Sequence, residues 1–308
     1  MTFFKLIRYK NLIMVLLTMV LVKYCMIASV LDNPNLSDLE FIIYALSVLL
    51  ITAGGYIIND IYDIDIDKIN KPKKTFVGNS ISIKNAWTLY AVLSIGGMGL
   101  AIYISIIKSL PEYILLFLFG YACLFFYSRY FQKKPLIGNI IIAFICGALI
   151  YLTYLFDFRL DYDQFYEKII SEKLSKAPSR ISEIKFFIAF SFLGTLIREI
   201  IKDIEDIDGD YNAGYQTLPI VLGKRRARDV SIFMSILFII LLILNTVYFY
   251  SMGYLLVTIA MSMICGLTLY MLYELWTAKT KKHFHFLSNL MKMILFFGIL
   301  SMILFTFD

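Results

Sequence analysis

Long apolar segments separated by short polar connections dominate the pattern of this chain. An α-helix rises 1.5 Å per residue, so an apolar run of roughly 18 residues is long enough to cross a ~30 Å hydrocarbon core. The runs that meet this length predict nine transmembrane helices, at 12–31, 40–58, 86–107, 111–128, 136–156, 184–201, 230–250, 253–276 and 286–306. The pattern therefore predicts an all-α integral membrane protein.

Composition supports this prediction and excludes an ordinary soluble domain. Of the 308 residues, 60% are hydrophobic and only 17% are charged, which is far from the composition of soluble globular proteins. We therefore expect a single membrane-embedded domain over residues 1–308. Its surroundings would be membrane lipids.

The distribution of lysine and arginine predicts the orientation of the chain. Most of these residues lie on the same side of the predicted spans as the N-terminus, which carries Lys5, Arg8 and Lys10. Cytoplasmic segments carry such an excess, so we expect the N-terminus to be cytoplasmic. The net charge of +6 then reflects topology and anionic lipids, and it gives no sign of a nucleic-acid partner.

One predicted outer connection is long. Residues 157–185 form a mixed-charge segment, and the string FYEKIISEKL within it indicates a short amphipathic helix near the outer surface. A tolerated insertion in a surface loop is the simpler interpretation.

Two acidic motifs occur at the inner ends of predicted spans. Residues 59–67 read NDIYDIDID, residues 202–210 read KDIEDIDGD, and the four aspartates keep the same spacing in both. The motifs follow the second and the sixth spans, so a shift of four helices relates them. This spacing predicts two pseudo-repeated four-helix halves and one further helix around a central cavity, with both motifs on the cytoplasmic side.

The spacing of the acidic residues predicts a metal site. Positions i and i+4 share one face of a helix, and two facing rows of carboxylates would repel unless cations lay between them. Mg²⁺ takes oxygen ligands and is commonly held by one or two carboxylates together with phosphate oxygens. A single acidic cluster would equally suit a solvated helix end, but two clusters at corresponding positions favour a shared function. The predicted ligands are Asn59, Asp63, Asp67, Asp206 and Asp210.

Basic and polar side chains near these motifs indicate a diphosphate site. Each basic group alone is what a cytoplasmic loop ordinarily carries, but beside the aspartates they favour phosphate binding. Glu199 and Asp203 widen the acidic face of the second motif, and Lys202 begins it. The candidate phosphate contacts are Lys71, Lys74, Tyr127, Ser128, Lys133, Lys134 and Arg198.

The motifs resemble those of the UbiA superfamily of intramembrane prenyltransferases. NDIYDIDIDKINKP is similar to the family's NDxxDxxxD pattern, and KDIEDIDGDYNAGYQTLPIVLG is similar to its DxxxD region. YSRYFQKKPLIGN matches a further family segment, whereas Lys74 and Thr75 replace a common RP. The resemblance implies Mg²⁺-dependent transfer of a prenyl group from its diphosphate, with the predicted metal ligands holding the metal–diphosphate complex and Lys133 contacting phosphate.

Within the family, REIIKDIEDIDGD is most similar to the branch that makes digeranylgeranylglyceryl phosphate in archaeal ether-lipid synthesis. This resemblance implies transfer of a geranylgeranyl group to a lipid-like phosphate acceptor. Glu199 would orient or deprotonate the acceptor hydroxyl, with Lys202 and Asp203 beside it. An aromatic acceptor of the quinone or chlorophyll type is one alternative. An ion-coupled transporter is another, although its charges would lie near the middle of the spans.

Overall fold

The computed structural model describes residues 2–28, 34–66, 76–157 and 177–308, and its regular structure is helical. Val77 and Ile81 form an isolated β-bridge, and the described residues contain no longer strand. The helices are α1 Thr2–Leu6, α2 Tyr9–Leu21 with a π-helical continuation Val22–Ile27, α3 Asp38–Tyr62, α4 Ile83–Ile107, α5 Tyr113–Arg129, α6 Ile137–Asp157, α7 Ala177–Asn212, α8 Leu218–Leu222, α9 Lys224–Ser251, α10 Leu255–Thr277 and α11 Lys281–Leu300, with 3₁₀ turns Phe131–Lys133 and Ser301–Thr306.

Seven helical segments of the described chain are long and apolar enough to cross a membrane. They are Tyr9–Ile27, Asp38–Tyr62, Ile83–Ile107, Ile137–Asp157, Lys224–Ser251, Leu255–Thr277 and Lys281–Thr306. The all-helical membrane architecture is confirmed. The predicted span 111–128 corresponds to α5, which is shorter at 17 residues, and the span 184–201 lies inside the 36-residue α7. The number nine stays a prediction.

Local capping signals set the ends of α3. Ser37 and Glu40 form a capping box, in which the Ser37 N–H donates to Glu40 Oε2 at 2.8 Å and the Glu40 N–H donates to Ser37 Oγ at 3.4 Å. The helix ends at Tyr62, and Asp63 is its C-cap. The first acidic motif therefore begins inside a helix and continues past its end.

The chain divides into two compact units that alternate along the sequence. The first contains residues 1–16, 37–142 and 206–223, and the second contains residues 17–36, 143–205 and 224–308. Helix α7 contributes to both, since it belongs to the second unit through Glu205 and to the first from Asp206.

Close helix packing supports α3 in the first unit. A Cβ atom at Gly97 on α4 would lie 2.8 Å from Ile51 Cγ1 and 3.0 Å from the Ser47 carbonyl oxygen on α3, so a larger residue would push the two helices apart. Leu6 and Ile7 are buried in the same cluster as Ile57 of α3. The N-terminal segment is thereby anchored to the helix that carries the first acidic motif.

A buried ion pair holds part of the second unit together. Lys23 Nζ lies 3.0 Å from Asp157 Oδ2, and the two side chains are 2% and 0% exposed. Lys23 also donates to the Leu36 carbonyl at 2.6 Å, and the Leu36 N–H donates to Asp157 Oδ1 at 2.8 Å. The charge of Lys23, which the sequence places inside the first apolar segment, is thus compensated by the last residue of α6.

Removing one member of this pair should destabilise the protein strongly. Lys23→Ala leaves the Asp157 carboxylate buried without its cation, which costs about 3–5 kcal/mol, and we expect a lower unfolding midpoint for the purified protein in detergent. The double variant Lys23→Met with Asp157→Leu should recover much of this loss, because no charge stays buried. A wild-type midpoint for Lys23→Ala would contradict this interpretation.

Candidate active site

Asn59 and Asp63 lie together at the end of α3. Asn59 Nδ2 donates to Asp63 Oδ2 at 2.7 Å, and the residues are 9% and 7% exposed. The i, i+4 contact predicted for these two residues is therefore present. Asp67, the third member of the predicted row, lies outside the described residues.

Gln132 joins both of these side chains from the 3₁₀ turn that follows α5. Its Nε2 donates to Asp63 Oδ2 at 2.8 Å, and its Oε1 accepts from Asn59 Nδ2 at 2.7 Å. Sequence reasoning singled out the neighbouring Lys133 and Lys134 but not Gln132. Its amide is nevertheless the group of this segment that contacts the first motif.

Asp206 and Asp210 are buried on the last turns of α7, at 8% and 7% exposure. Thr217, the residue before α8, places its hydroxyl 3.4 Å from Asp210 Oδ2 and donates to it. Asp208, between the two buried aspartates, is exposed. The helix therefore turns the first and last members of this trio inward, as the predicted helical stripe requires.

A glycine turn ends α7 and reverses the chain. Gly214 has φ +72°, its N–H donates to the Tyr211 carbonyl at 3.0 Å, and the Tyr215 N–H donates to the Asp210 carbonyl at 2.9 Å. These two bonds form a Schellman motif, in which a left-handed glycine terminates the helix. The turn places Tyr215 beside the end of the second acidic motif.

Tyr215 connects the second motif region to the first. Its hydroxyl donates to Asp63 Oδ1 at 3.0 Å, and Lys133 Nζ lies 5.2 Å from the centroid of its ring. The Gln216 N–H donates to the Lys133 carbonyl at 3.0 Å. The ends of α3, α5 and α7 thus meet in the first unit, and the Asp63 carboxylate accepts hydrogen bonds from Asn59, Gln132 and Tyr215.

Arg8 contacts the first motif through Asn59 and Asp60. Its Nη2 lies 2.8 Å from Asp60 Oδ1 and 3.4 Å from Asn59 Oδ1, and its Cζ is 4.9 Å from the Tyr56 ring centroid. Burial alone would lower the pKa of the Arg8 guanidinium, but the Asp60 carboxylate, together with Tyr56 and Asp63, leaves this pKa above its ordinary value. Arg8 therefore stays charged and fixes the Asn59 amide. The sequence had indicated Arg8 only as one of the N-terminal charges that predict the orientation of the chain in the membrane.

Glu199 lies between two cations in the second unit. Arg198 Nη1 contacts Glu199 Oε1, and Lys202 Nζ lies 3.7 Å from Glu199 Oε2. The carboxylate side chain is 10% exposed, whereas those of Arg198 and Lys202 are 26% and 34% exposed. Asp203 is partly buried on the next turn of α7. The Glu199 carboxylate is therefore held by two cations of its own helix.

The remaining predicted phosphate contacts differ from one another in how exposed they are. Ser128 is 1% exposed and donates to the Leu124 carbonyl of its own helix at 3.0 Å. Tyr127 is half-buried, whereas Lys133 and Lys134 are exposed. Lys71 and Lys74 lie outside the described residues.

The donor set suits a hard divalent cation. Carboxylate and amide oxygens, as on Asp63, Asp206, Asp210 and Asn59, are the ligand types of Mg²⁺. Among the described residues, no three His, Cys, Asp or Glu side chains are grouped closely enough to hold a metal by themselves. Mg²⁺ bound together with a diphosphate needs only one or two protein carboxylates, and the buried aspartates meet that requirement.

Fold and site together define an all-helical, multi-pass membrane protein with buried carboxylates at the ends of its helices. Residues 15–293 match the UbiA prenyltransferase family. The chain belongs to this family and is a prenyltransferase.

Similar proteins cover most of the chain. A digeranylgeranylglyceryl phosphate synthase of Methanococcus aeolicus is 31% identical over 246 residues, which are 77% of each chain. A solved structure described as digeranylgeranylglyceryl phosphate synthase in membranes has a TM-score of 0.68 at 24% identity, over 98% of this chain and 96% of that one. A UbiA homologue from Archaeoglobus fulgidus bound to GPP and Mg²⁺ has a TM-score of 0.63 at 15% identity, over 98% and 99% of the two chains. The two structures show that the fold is shared.

Substituting Gly214 should disturb the site through the backbone. Gly214→Ala forces an L-residue into a left-handed conformation, which costs about 1–2 kcal/mol, and we expect a lower unfolding midpoint together with reduced prenyl transfer. Gly99→Ala is the matched control, because a Cβ there meets nothing within 4 Å and alanine favours the helix. Equal midpoints for the two variants would show that the turn is not strained by a side chain.

Proposed function

We propose that this chain transfers a geranylgeranyl group from its diphosphate to geranylgeranylglyceryl phosphate in membrane ether-lipid biosynthesis, with Mg²⁺ as cofactor. The name of the Methanococcus aeolicus relative and the GPP and Mg²⁺ bound to the Archaeoglobus fulgidus homologue support this assignment. The observation that carries it is the hydrogen bond from Tyr215 to Asp63. It brings the first acidic motif to the end of the second, as a shared diphosphate site requires.

The proposal includes the arrangement of the chain in the membrane. Residues 1–308 form one membrane-embedded domain of nine spans. These are the seven long apolar segments together with α5 and α7. The spans form two pseudo-repeated four-helix halves and one further helix. The N-terminus and the acidic motifs face the cytoplasm. The outer loop insertion predicted at 157–185 is shorter at both ends, because Asp157 ends α6 and residues 177–185 belong to α7, and its remaining part, 158–176, lies outside the described residues. The repeated motif and the lysine and arginine distribution support this arrangement.

The first motif and the end of the second bind the diphosphate. Asn59, Asp63, Asp67, Asp206 and Asp210 hold the metal–diphosphate complex. When bound, Mg²⁺ supplies positive charge that stabilises the departing diphosphate. Basic and hydroxyl side chains add further contacts to the phosphate oxygens, and they are Lys71, Lys74, Tyr127, Ser128, Lys133, Lys134 and Arg198.

The transfer step breaks one C–O bond and forms another. The bond between the allylic carbon and the diphosphate oxygen breaks, and its electron pair leaves with the diphosphate. The acceptor hydroxyl oxygen bonds to that carbon, and its proton passes to the Glu199 carboxylate. Lys202, whose Nζ lies 3.7 Å from Glu199 Oε2, orients that carboxylate, and Asp203 adds negative charge one turn further along the same helix. The protein contributes by positioning and by preorganised charge.

Removing a buried aspartate should abolish turnover, whereas removing an exposed neighbour should not. We expect Asp63→Ala and Asp206→Ala to lose at least about 100-fold in activity, because direct metal ligands contribute more than the outer hydrogen bonds that orient them. Asp65→Ala and Asp208→Ala are matched controls, since both aspartates are exposed within the same motifs. The assay measures Mg²⁺-dependent diphosphate release from geranylgeranyl diphosphate in detergent.

An acceptor panel tests the substrate assignment separately. Geranylgeranylglyceryl phosphate should be prenylated, and 4-hydroxybenzoate and homogentisate should not. Prenylation of an aromatic acceptor alone would replace the proposed acceptor by the quinone or chlorophyll type.

Near wild-type activity in both Asp63→Ala and Asp206→Ala would contradict the assignment of these aspartates as metal ligands.

Glu199 should affect the acceptor step specifically. We expect Glu199→Gln to lower kcat about 100-fold with geranylgeranylglyceryl phosphate, as for loss of a general base, while leaving the Mg²⁺ concentration for half-maximal activity unchanged. Glu205→Gln, on the same helix and paired with His285 at 2.8 Å, is the control. Steady-state kinetics indistinguishable from wild type would exclude Glu199 from the reaction.

A further inference from the structure

We propose that Tyr215 is a positioning residue of this active site, and that its hydroxyl holds the Asp63 carboxylate in the orientation that binds the metal–diphosphate complex. The inference rests on the proposed function, which assigns Asp63 to that complex. It adds a residue that neither acidic motif contains.

The position of Tyr215 is fixed by its backbone and by its ring. Its N–H donates to the Asp210 carbonyl at 2.9 Å, directly after the left-handed Gly214. Tyr215 is only 6% exposed, and Lys133 Nζ lies 5.2 Å from the centroid of its ring. Since both ends of the residue are held, its hydroxyl can act as a fixed hydrogen-bond donor.

Hydrogen bonds from three residues reach both oxygens of Asp63. Oδ2 accepts from Asn59 Nδ2 at 2.7 Å and from Gln132 Nε2 at 2.8 Å, whereas Oδ1 accepts from Tyr215 at 3.0 Å. A carboxylate oxygen has two lone-pair directions. The Tyr215 bond therefore orients Oδ1, the oxygen that neither of the two amide donors contacts at these distances.

Asp63 needs this external restraint because it stands at the end of its helix. It is the C-cap of α3, with φ −96° and ψ 8°, so regular helical geometry does not continue through it. Outer hydrogen bonds that orient a metal-binding carboxylate commonly change metal affinity or activity 10–100-fold when they are removed. Tyr215 occupies that role for Asp63.

Two substitutions distinguish the contribution of the Tyr215 hydroxyl from that of its ring. Tyr215→Phe removes only the donor and keeps a ring beneath the Lys133 ammonium, whereas Tyr215→Leu removes both. Tyr211→Phe is the matched control, since Tyr211 lies on the last turns of α7 and is 71% exposed. The full chain is purified in detergent with a non-hydrolysable geranylgeranyl thiolodiphosphate, and Mn²⁺ binding is followed by the electron paramagnetic resonance signal of free Mn²⁺.

We expect Tyr215→Phe and Tyr215→Leu to weaken Mn²⁺ binding to a similar extent, about 10-fold, and Tyr211→Phe to bind like wild type. Tyr215→Leu should also have the lower unfolding midpoint, because it alone loses the ring. In Tyr215→Phe, saturating Mg²⁺ should restore kcat to within a few-fold of wild type.

Two results would overturn the inference, and they are distinguishable. Wild-type Mn²⁺ affinity in Tyr215→Phe, measured beside a wild-type protein that binds Mn²⁺, would show that the hydroxyl does not position Asp63. Absence of Mn²⁺ binding by the wild-type protein with the analogue would overturn the proposed function itself, and this inference with it.

Discussion

Burial of the Asp63 carboxylate is the constraint on which the candidate site depends. A buried carboxylate is costly unless hydrogen bonds or cations compensate it, and Asp63 obtains such bonds from Asn59, Gln132 and Tyr215. These donors come from the ends of three different helices. Satisfying one carboxylate therefore draws together, within the first unit, segments that are far apart in the sequence.

The surrounding fold keeps those helix ends in place. The close approach of α4 to α3 at Gly97 and the burial of Leu6 and Ile7 beside α3 hold the helix that carries the start of the first motif against its neighbours. Arg8 then sets the orientation of the Asn59 amide by contacting its oxygen, so the Asn59 nitrogen faces Asp63. An N-terminal segment that the sequence presents only as a topology signal becomes part of the support for the site.

Local patterns in the sequence predicted the features that depend on local geometry. Apolar run lengths gave the helical membrane fold, and the i, i+4 spacing gave the contact between Asn59 and Asp63. The contacts of Gln132 and Tyr215 join residues distant in sequence, and no periodicity encodes such partners. The turn at Gly214, which brings Tyr215 to Asp63, was not predicted, because a single glycine does not show which side chain a turn will place beside a distant residue. Hydropathy also predicted only the apolar part of α7, because the helix continues through charged turns to Asn212, where the glycine turn ends it.

The central claim is that both acidic motifs hold one metal–diphosphate complex. It is tested most directly by an experimental structure of the chain with Mn²⁺ and a non-hydrolysable geranylgeranyl diphosphate analogue, in which anomalous scattering locates the metal. Anomalous peaks are expected within coordination distance of Asp63 and of Asp206 or Asp210, around a single diphosphate. Peaks that contact one motif alone, or an analogue bound away from both, would contradict it.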